Sequence, residues 1–450
     1  MTRWTASRVL RALGENAVAS AALEFSSIST DTRTIAPGAL FVALTGDRFD
    51  GHNFLAQAAK AGARGAVVRR GTEPVTGLAF FEVSDTLEAL GRLARARRDE
   101  IAGPVVAITG TNGKTSTKEL IAAALGTRYR VHATSGNLNN LVGVPLTILA
   151  APDDTEALVI EAGASVPGEI PRLRSIIEPT VGVITNVAAG HLEGFETIDG
   201  VLAEKLALVA DVPLALVGIE PAALAQGARK AARRVITVGL RAGAEVRPER
   251  WNLDPAGRPT LVFRNQEIQL PLVGSHQAAN AVFALALAAE LRLELPAVAR
   301  ALGDVKLPPG RGEVLHSGRV TIINDAYNAN PGSLAAALEA VHAMRAGRRL
   351  VIVVGSMLEL GSESRQYHER MAGAIVDIQP DLVGAVGEFV PALETRAAEL
   401  GDRLVVADTP DALGRRLASR LGSGGEELIL IKASRGVGLE RALPHLLNRS

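Results

Sequence analysis

Short apolar runs alternate with stretches of helical periodicity along most of the chain. The clearest run is Val105-Val106-Ala107-Ile108, and similar ones fall at 157–161, 181–186 and 214–218. Brief β-branched runs of this kind mark strands buried on both faces of a parallel sheet. Helical patterns lie between them at 115–125 and 203–210. Strands alternating with helices predict βαβ units. Around 258–273 the pattern becomes that of a hairpin, and helix resumes over 276–291.

The flanking sections read differently. Before about residue 103, short strands at 39–44, 65–68 and 78–83 mix with helices over 53–61 and 86–99. Turn signals such as Ala36-Pro37-Gly38 separate them. Ala102-Gly103-Pro104 reads as a hinge. After Pro308-Pro309-Gly310-Arg311, strands are expected at 320–324, 349–354, 381–386, 403–407 and 428–432, with helices between. That is the pattern of a doubly wound domain of Rossmann type. The chain is therefore expected to be α/β, with domains over 1–103, 104–310 and 311–450.

Composition narrows the partners. Lys+Arg and Asp+Glu balance at 48 each, so no net field draws nucleic acid or anionic membrane. Any phosphate site must be local. Aromatic residues make up 3% of the chain against 47% hydrophobic, so its cores must be mainly Leu, Val, Ile and Ala. The absence of cysteine excludes disulfides, thiolate metal sites and a Cys nucleophile. Arg3, Arg8 and Arg11 near the start lack the continuous apolar core of a signal peptide. No apolar stretch reaches the roughly 18 residues of a membrane span. A cytoplasmic enzyme is the expectation.

One motif carries chemistry on its own. Gly110-Thr111-Asn112-Gly113-Lys114-Thr115, followed by Ser116, sits between a buried strand and a helix. Glycines let the backbone approach phosphate, and the helix start adds N–H groups and positive potential. Lys114 can reach β- and γ-phosphates, and the Thr115 hydroxyl can bind Mg²⁺. The common spacing of such loops needs Gly at position 108, which is Ile. Glu161 ends the next strand, where a carboxylate faces the ligand side of a parallel sheet and suits Mg²⁺. Taken alone, a strand-end acid such as Glu161 is more often a helix cap or a solvated group, a lone histidine such as His191 is usually structural, and a lone helical lysine such as Lys205 is usually solvated.

Together these residues resemble the Mur ligases, the ATP-dependent amide ligases of peptidoglycan precursor synthesis, over essentially the whole chain. The shortened loop 110–115 is similar to that family's own. The resemblance implies a small α/β UDP-binding domain, a central P-loop ATPase domain with a parallel sheet, and a C-terminal Rossmann-like domain. It implies two Mg²⁺ ions, with Thr115 and Glu161 at one and His191 and a carbamylated Lys205 at the other. It places Lys114, Glu161, His191 and Lys205 in catalysis. Around ATP it puts 110–116, Asn186, His276 and Asn280 of Gly274-Ser275-His276-Gln277-Ala278-Ala279-Asn280, Arg311 of the linker, and Asp325.

The first section resembles the UDP-binding domain of the two later ligases. Thr30, Asp31, Thr32, Arg33, Gly46, Asp50, Gly51 and His52 carry that likeness. Asn137, Asn139 and Asn140, and later Asn328 and Asn330, resemble substrate segments of the last ligase, as does Gly355-Ser356-Met357-Leu358-Glu359-Leu360-Gly361. The Asp-Asn-Pro-Arg motif that reads a diamino acid is absent. The implied partners are ATP, UDP-N-acetylmuramoyl-tripeptide and D-Ala-D-Ala, handled by a monomer. The alternatives are the preceding ligase adding a diamino acid, a folate polyglutamate ligase, and a nucleotide-binding scaffold without turnover. The asparagines could also simply shape turns and cap helices.

Overall fold

A computed structural model describes residues 4–14, 23–46, 49–421 and 425–447. Arg3 lies outside them. Contacts divide the chain into two compact units. The first comprises Met1–Ile108, Arg128–Ala164 and Gly168–Gly182; the second comprises Thr109–Thr127, Ser165–Pro167 and Val183–Ser450.

The first unit opens with the short strand Trp4–Thr5 and the helix Ala6–Leu13, neither of which stands out in the apolar pattern. The helix's signals are local: the Thr5 side chain caps it by accepting from the Arg8 N–H, and Gly14 ends it in the left-handed region. Four strands, Ile28–Ser29, Leu40–Val42, Gly65–Arg69 and Ala79–Val83, then form a parallel sheet in chain order. Strand periodicity decides which side chains face where. Leu40, Val42, Val67 and Phe81 join Val9, Leu90 and Leu93 in one core, while Phe41, Ala66 and Val68 join Leu55 and Ala58 in the other. Phe25 and Phe81 meet edge to face at 5.7 Å, so even a sequence poor in aromatics uses a pair where the sheet is small.

In the same unit, Ala157–Glu161 runs parallel to Val131–Ala133 and to the start of Val105–Thr109. Glu161 pairs in register with Ile108, so it stands at the expected carboxyl end. The helix Thr86–Arg98 is fastened to this part of the chain by two arginines. Arg98 donates to the carbonyls of Ile177 (2.8 Å) and Glu178 (2.7 Å), at the end of the helix Glu169–Ile177. Arg97 donates to those of Ala151 (3.0 Å) and Pro152 (2.7 Å). Between the two segments, a Cβ at Gly103 would fall 2.1 Å from the Glu156 carbonyl. Ala102-Gly103-Pro104 thus runs close against the Glu156 backbone, and the two guanidinium groups satisfy carbonyls that helix ends leave open.

In the second unit the helix Lys114–Gly126 packs on Ser275–Glu290, which is buried on nearly every side. Leu214–Gly218 pairs in parallel with Val235–Val238. The hairpin pattern proves to be a three-stranded antiparallel sheet of Arg250–Leu253, Pro259–Phe263 and Gln266–Gln269. A six-stranded sheet follows in the order Glu313–Ser317, Val320–Asp325, Glu427–Lys432, Arg349–Val354, Leu382–Ala385, Leu404–Val406. Its first pair is antiparallel and the rest parallel. Helices cover both faces, as a doubly wound domain requires. The edge strand Glu313–Ser317 escaped the pattern because its residues alternate between half-buried and exposed. Among the described residues no helix is long and apolar enough to cross a membrane.

Candidate active site

The loop after Val105–Thr109 is shaped by the segment that follows Val181–Ile184. That strand stops short of the expected residue 186 because Thr185 and Asn186 turn to bind the loop. Asn186 donates its side-chain N–H to the Asn112 carbonyl (3.1 Å) and accepts the Asn112 N–H on Oδ1 (3.0 Å). Its own carbonyl accepts from Thr111 (3.0 Å). The Thr185 hydroxyl also donates to the Asn112 carbonyl (2.6 Å), and Thr111 exchanges hydrogen bonds with Ala188. Asn186 is thus a splint for the loop backbone. Thr185 and Ala188 share that work, and only their position at a strand end could have flagged them.

Two glycines are forced by this geometry. Gly110 has φ +149°, and a Cβ there would sit 1.8 Å from the Thr185 hydroxyl oxygen. Gly113 has φ +78° at the helix start, and its Cβ would fall 2.5 Å from Oδ1 of Asn280. Asn280 is buried and bonded to Gln277 (3.1 Å). Gly110→Ala should therefore distort the loop at a cost of about 1–3 kcal/mol. The expected result is ATP-analogue binding weaker by roughly tenfold or more, read by titration calorimetry, with an unchanged far-UV circular dichroism spectrum.

Lys114 folds back over the loop and donates to the carbonyls of Gly110 (2.9 Å) and Thr111 (3.3 Å). Thr115 and Ser116 follow on the buried first turn. Lys205 lies in the helix Ile198–Leu206 and is 2% exposed. Burial, and secondarily the Lys114 ammonium, push its amine down to about 7, against the pull of Glu204. His191 has φ +56°, and its Nδ1 comes within 2.5 Å of the Glu359 carboxylate. The approach is poorly aligned for a hydrogen bond. This contact, ahead of the opposing effect of burial, holds Glu359 below the usual carboxylate range.

The second unit also brings the C-terminal segment to the loop. Asn330 caps the helix Pro331–Met344 by accepting from Ser333 (2.9 Å), and its Nδ2 donates to Oδ1 of Asn112 (2.7 Å). Cap and loop contact are made by one side chain. The Asp325 carboxylate pairs with the buried Lys432 ammonium, which also donates to the Asn328 carbonyl (3.0 Å). Asn328 accepts from Ala329 (2.9 Å). His276 has an enclosed Nδ1 without a hydrogen-bond partner, and burial pushes the imidazole toward its neutral form. Arg311 stacks on the Tyr327 ring, 3.8 Å from its centroid.

The remaining expected residues lie in the first unit. Asn139 donates to the Glu161 carboxylate (2.8 Å), whose backbone N–H bonds to Thr134 (2.9 Å). Asn140 accepts from Val142 and Gly143 at the start of the helix Gly143–Leu149, and Asn137 is exposed. Asp31 accepts the Arg33 guanidinium through two oxygens (2.9 and 2.6 Å) and the Arg33 backbone N–H (2.9 Å). Those bonds, the guanidinium's first, hold its pKa at about 2. Thr30 and Thr32 flank this turn. Gly51 fits only without a side chain, since a Cβ would lie 2.8 Å from the Leu44 backbone. His52 Nε2 accepts the Arg69 backbone N–H (3.0 Å), which fixes the proton on Nδ1, 2.6 Å from Asp50. Asp50 also meets Thr45 (3.2 Å) and the Arg69 guanidinium (3.2 Å). Gly46 closes the loop by donating to Phe49 (2.9 Å). Both ring nitrogens of His52 are therefore spent on loop shape.

The donor chemistry fits Mg²⁺. Thr115 and Glu161 offer hard oxygens. An ammonium at Lys205 cannot ligate a metal, but the neutral amine that its burial favours can add CO₂ and become an anionic oxygen ligand. Among the described residues no group of three or more His, Asp or Glu side chains forms a metal cage.

The chain matches three family models: the "Mur ligase family, catalytic domain" over residues 24–98, the "Mur ligase middle domain" over 108–288 and the "Mur ligase, glutamate ligase domain" over 310–435. It is 35% identical to UDP-N-acetylmuramoyl-tripeptide–D-alanyl-D-alanine ligase of Escherichia coli (strain K12), across 94% of this chain and 93% of that protein. Its fold is similar to the crystal structure of MurF from Acinetobacter baumannii, with TM-score 0.89 and 29% identity over 99% of each chain. It is also similar to MurF ligase from Thermotoga maritima in complex with ADP, with TM-score 0.83 and 28% identity over 94% of this chain and 97% of that one.

Proposed function

The chain belongs to the Mur ligase family, and from that premise we propose that it uses ATP to join the carboxylate of UDP-N-acetylmuramoyl-tripeptide to the amine of D-alanyl-D-alanine. The observation that carries this reading is the loop 110–115, splinted by Asn186 and tied to the C-terminal segment through Asn112 and Asn330. Segments 1–103, 104–310 and 311–450 are proposed to bind the UDP-substrate, ATP, and the dipeptide with part of the nucleotide.

The chemistry needs an activated acyl group, because a carboxylate oxygen is a poor leaving group. A tripeptide carboxylate oxygen attacks the γ-phosphorus, the bond to the β-bridging oxygen breaks, and ADP leaves. The amine nitrogen then attacks the acyl carbon, the bond to the phosphate oxygen breaks, and phosphate leaves as the amine gives up a proton. Lys114 neutralises charge on the transferred group. Thr115 and Glu161 are the proposed ligands of one Mg²⁺, with His191 and carbamylated Lys205 at a second; bound Mg²⁺ would neutralise phosphate oxygens. Asn186 and Asn280 shape the phosphate loop, and a neutral His276 faces adenine. Arg311 and Asp325 are the proposed nucleotide contacts from the C-terminal side. Thr30, Asp31, Thr32, Arg33, Gly46, Asp50, Gly51 and His52 are proposed to form the UDP end. Asn137, Asn139, Asn140, Asn328 and Asn330 are proposed to orient the acceptor and dipeptide. The enzyme acts as a cytoplasmic monomer.

The test is phosphate release with two substrate pairs. UDP-tripeptide with D-Ala-D-Ala is expected to release phosphate in step with ADP, and chelation of Mg²⁺ should stop it. Release only with UDP-dipeptide and a diamino acid would overturn the assignment.

A further inference from the structure

The loops after three strands of the C-terminal sheet meet at Ser434. Its hydroxyl donates to the Ala329 carbonyl (3.1 Å) and accepts the Leu358 N–H (2.9 Å), and its N–H donates to the Ser356 carbonyl (3.1 Å). All three loops leave carboxyl ends of strands, where open α/β sheets hold their ligands. Two cations stand there. Lys432 is buried and already neutralised by Asp325. Arg435 is exposed, and its guanidinium carbon lies 5.4 Å from the centre of the Tyr327 ring. Among the described residues Arg435 forms no ion pair. Beside it, the exposed side chain of Leu358 lies over Gly436, where a Cβ would come within 2.9 Å of it.

An oriented guanidinium without a carboxylate partner, next to an apolar wall, matches a small molecule that carries an oxyanion and methyl groups. We propose that Arg435 recognises the terminal carboxylate of the incoming dipeptide, with Leu358 against its methyl groups; this rests on the function proposed above. Tyr327 holds the guanidinium by its ring face, which limits the entropy lost when a planar fork closes on a carboxylate. Arg311 sits closer to the same ring, at 3.8 Å. The ring thus carries one cation for each substrate, Arg311 for the nucleotide and Arg435 for the dipeptide. Lys432 is excluded from the role because its charge is spent on Asp325.

The shared chemistry is an oxyanion, which either the dipeptide carboxylate or an ATP phosphate could supply, and the experiment separates the two. Full-length protein with saturating UDP-tripeptide is assayed with D-Ala-D-Ala and with its C-terminal amide. Wild type is expected to lose about tenfold to hundredfold in kcat/KM on the amide. Arg435→Ala should lose a similar factor on the acid, little on the amide, and leave the KM for ATP unchanged. Arg435→Lys should recover part of the loss on the acid. Equal use of acid and amide by wild type overturns the proposal without any variant. So does an Arg435→Ala protein that still discriminates but has a raised KM for ATP, which would make the anion phosphate. No turnover of UDP-tripeptide with D-Ala-D-Ala by wild type would overturn the functional reading itself.

Discussion

Lys114→Ala is expected to lower kcat by about 10²–10³, the usual cost of losing one preorganised charge donor at a reacting oxyanion. The ammonium is already over the loop, held by the Gly110 and Thr111 carbonyls. Both are neutral acceptors, so an arriving phosphate competes well for the same protons. The ground-state hold on ATP should suffer less than the rate. Much of that hold comes from backbone N–H groups at the start of the helix Lys114–Gly126, which the substitution leaves in place. KM for ATP should therefore move by a few-fold while kcat falls steeply, the mark of an interaction made mainly in the transition state. Lys114→Arg should not restore the rate, because a longer planar fork cannot put one compact charge in the same place. Single-turnover ADP formation with UDP-tripeptide is the direct measurement. A rate within threefold of wild type would sink the phosphoryl-transfer scheme.

Much of the frame could be read from periodicity. Ala157–Glu161, Leu214–Gly218 and Arg349–Val354 fall where the apolar runs place them, because a strand buried on both faces leaves an unbroken apolar record. The failures have physical causes. The strand Glu313–Ser317 is half-exposed and carries no such run. The helix Ala6–Leu13 does carry a stripe, with Ala6, Val9 and Leu13 buried at helical spacing, but eight residues are too short a window for that period to stand out. Residue roles were less legible than elements. Spacing showed that Lys114 follows two glycines, but not that Asn186 and Thr185 grip the loop across a long stretch of chain. By its motif Asn330 is expected to be a substrate residue, with a helix cap as the alternative. It caps a helix and binds Asn112 at once. The Lys432–Asp325 pair likewise joins two parallel strands whose register a single sequence does not reveal.

Lys205 carries the second large expectation. A lysine 2% exposed with a second ammonium nearby is a poor place to keep a cation. Its amine is held at about 7, against the ordinary 10.5. The unfolded chain therefore binds more protons there between those values, and the group's contribution to stability rises as pH climbs from about 7 to 10.5. Below about 7 the buried cation is a full penalty. Addition of CO₂ removes that cation, because the neutral amine attacks the carbon of CO₂, loses a proton and becomes a carbamate. Protein prepared with carbon-13 bicarbonate is expected to show one carbamate carbonyl signal by NMR, and Lys205→Ala should lack it. Activity should fall at least the 10–100-fold that loss of even an outer partner costs a metal site. Lys205→Arg should fall as far, since a guanidinium keeps its charge and adds no CO₂. Wild type stripped of CO₂ should lose activity and regain it when bicarbonate is restored, while both variants stay low. Full activity in Lys205→Ala, or a labelled signal that survives the substitution, would remove Lys205 from the proposed metal site and leave its burial as packing alone.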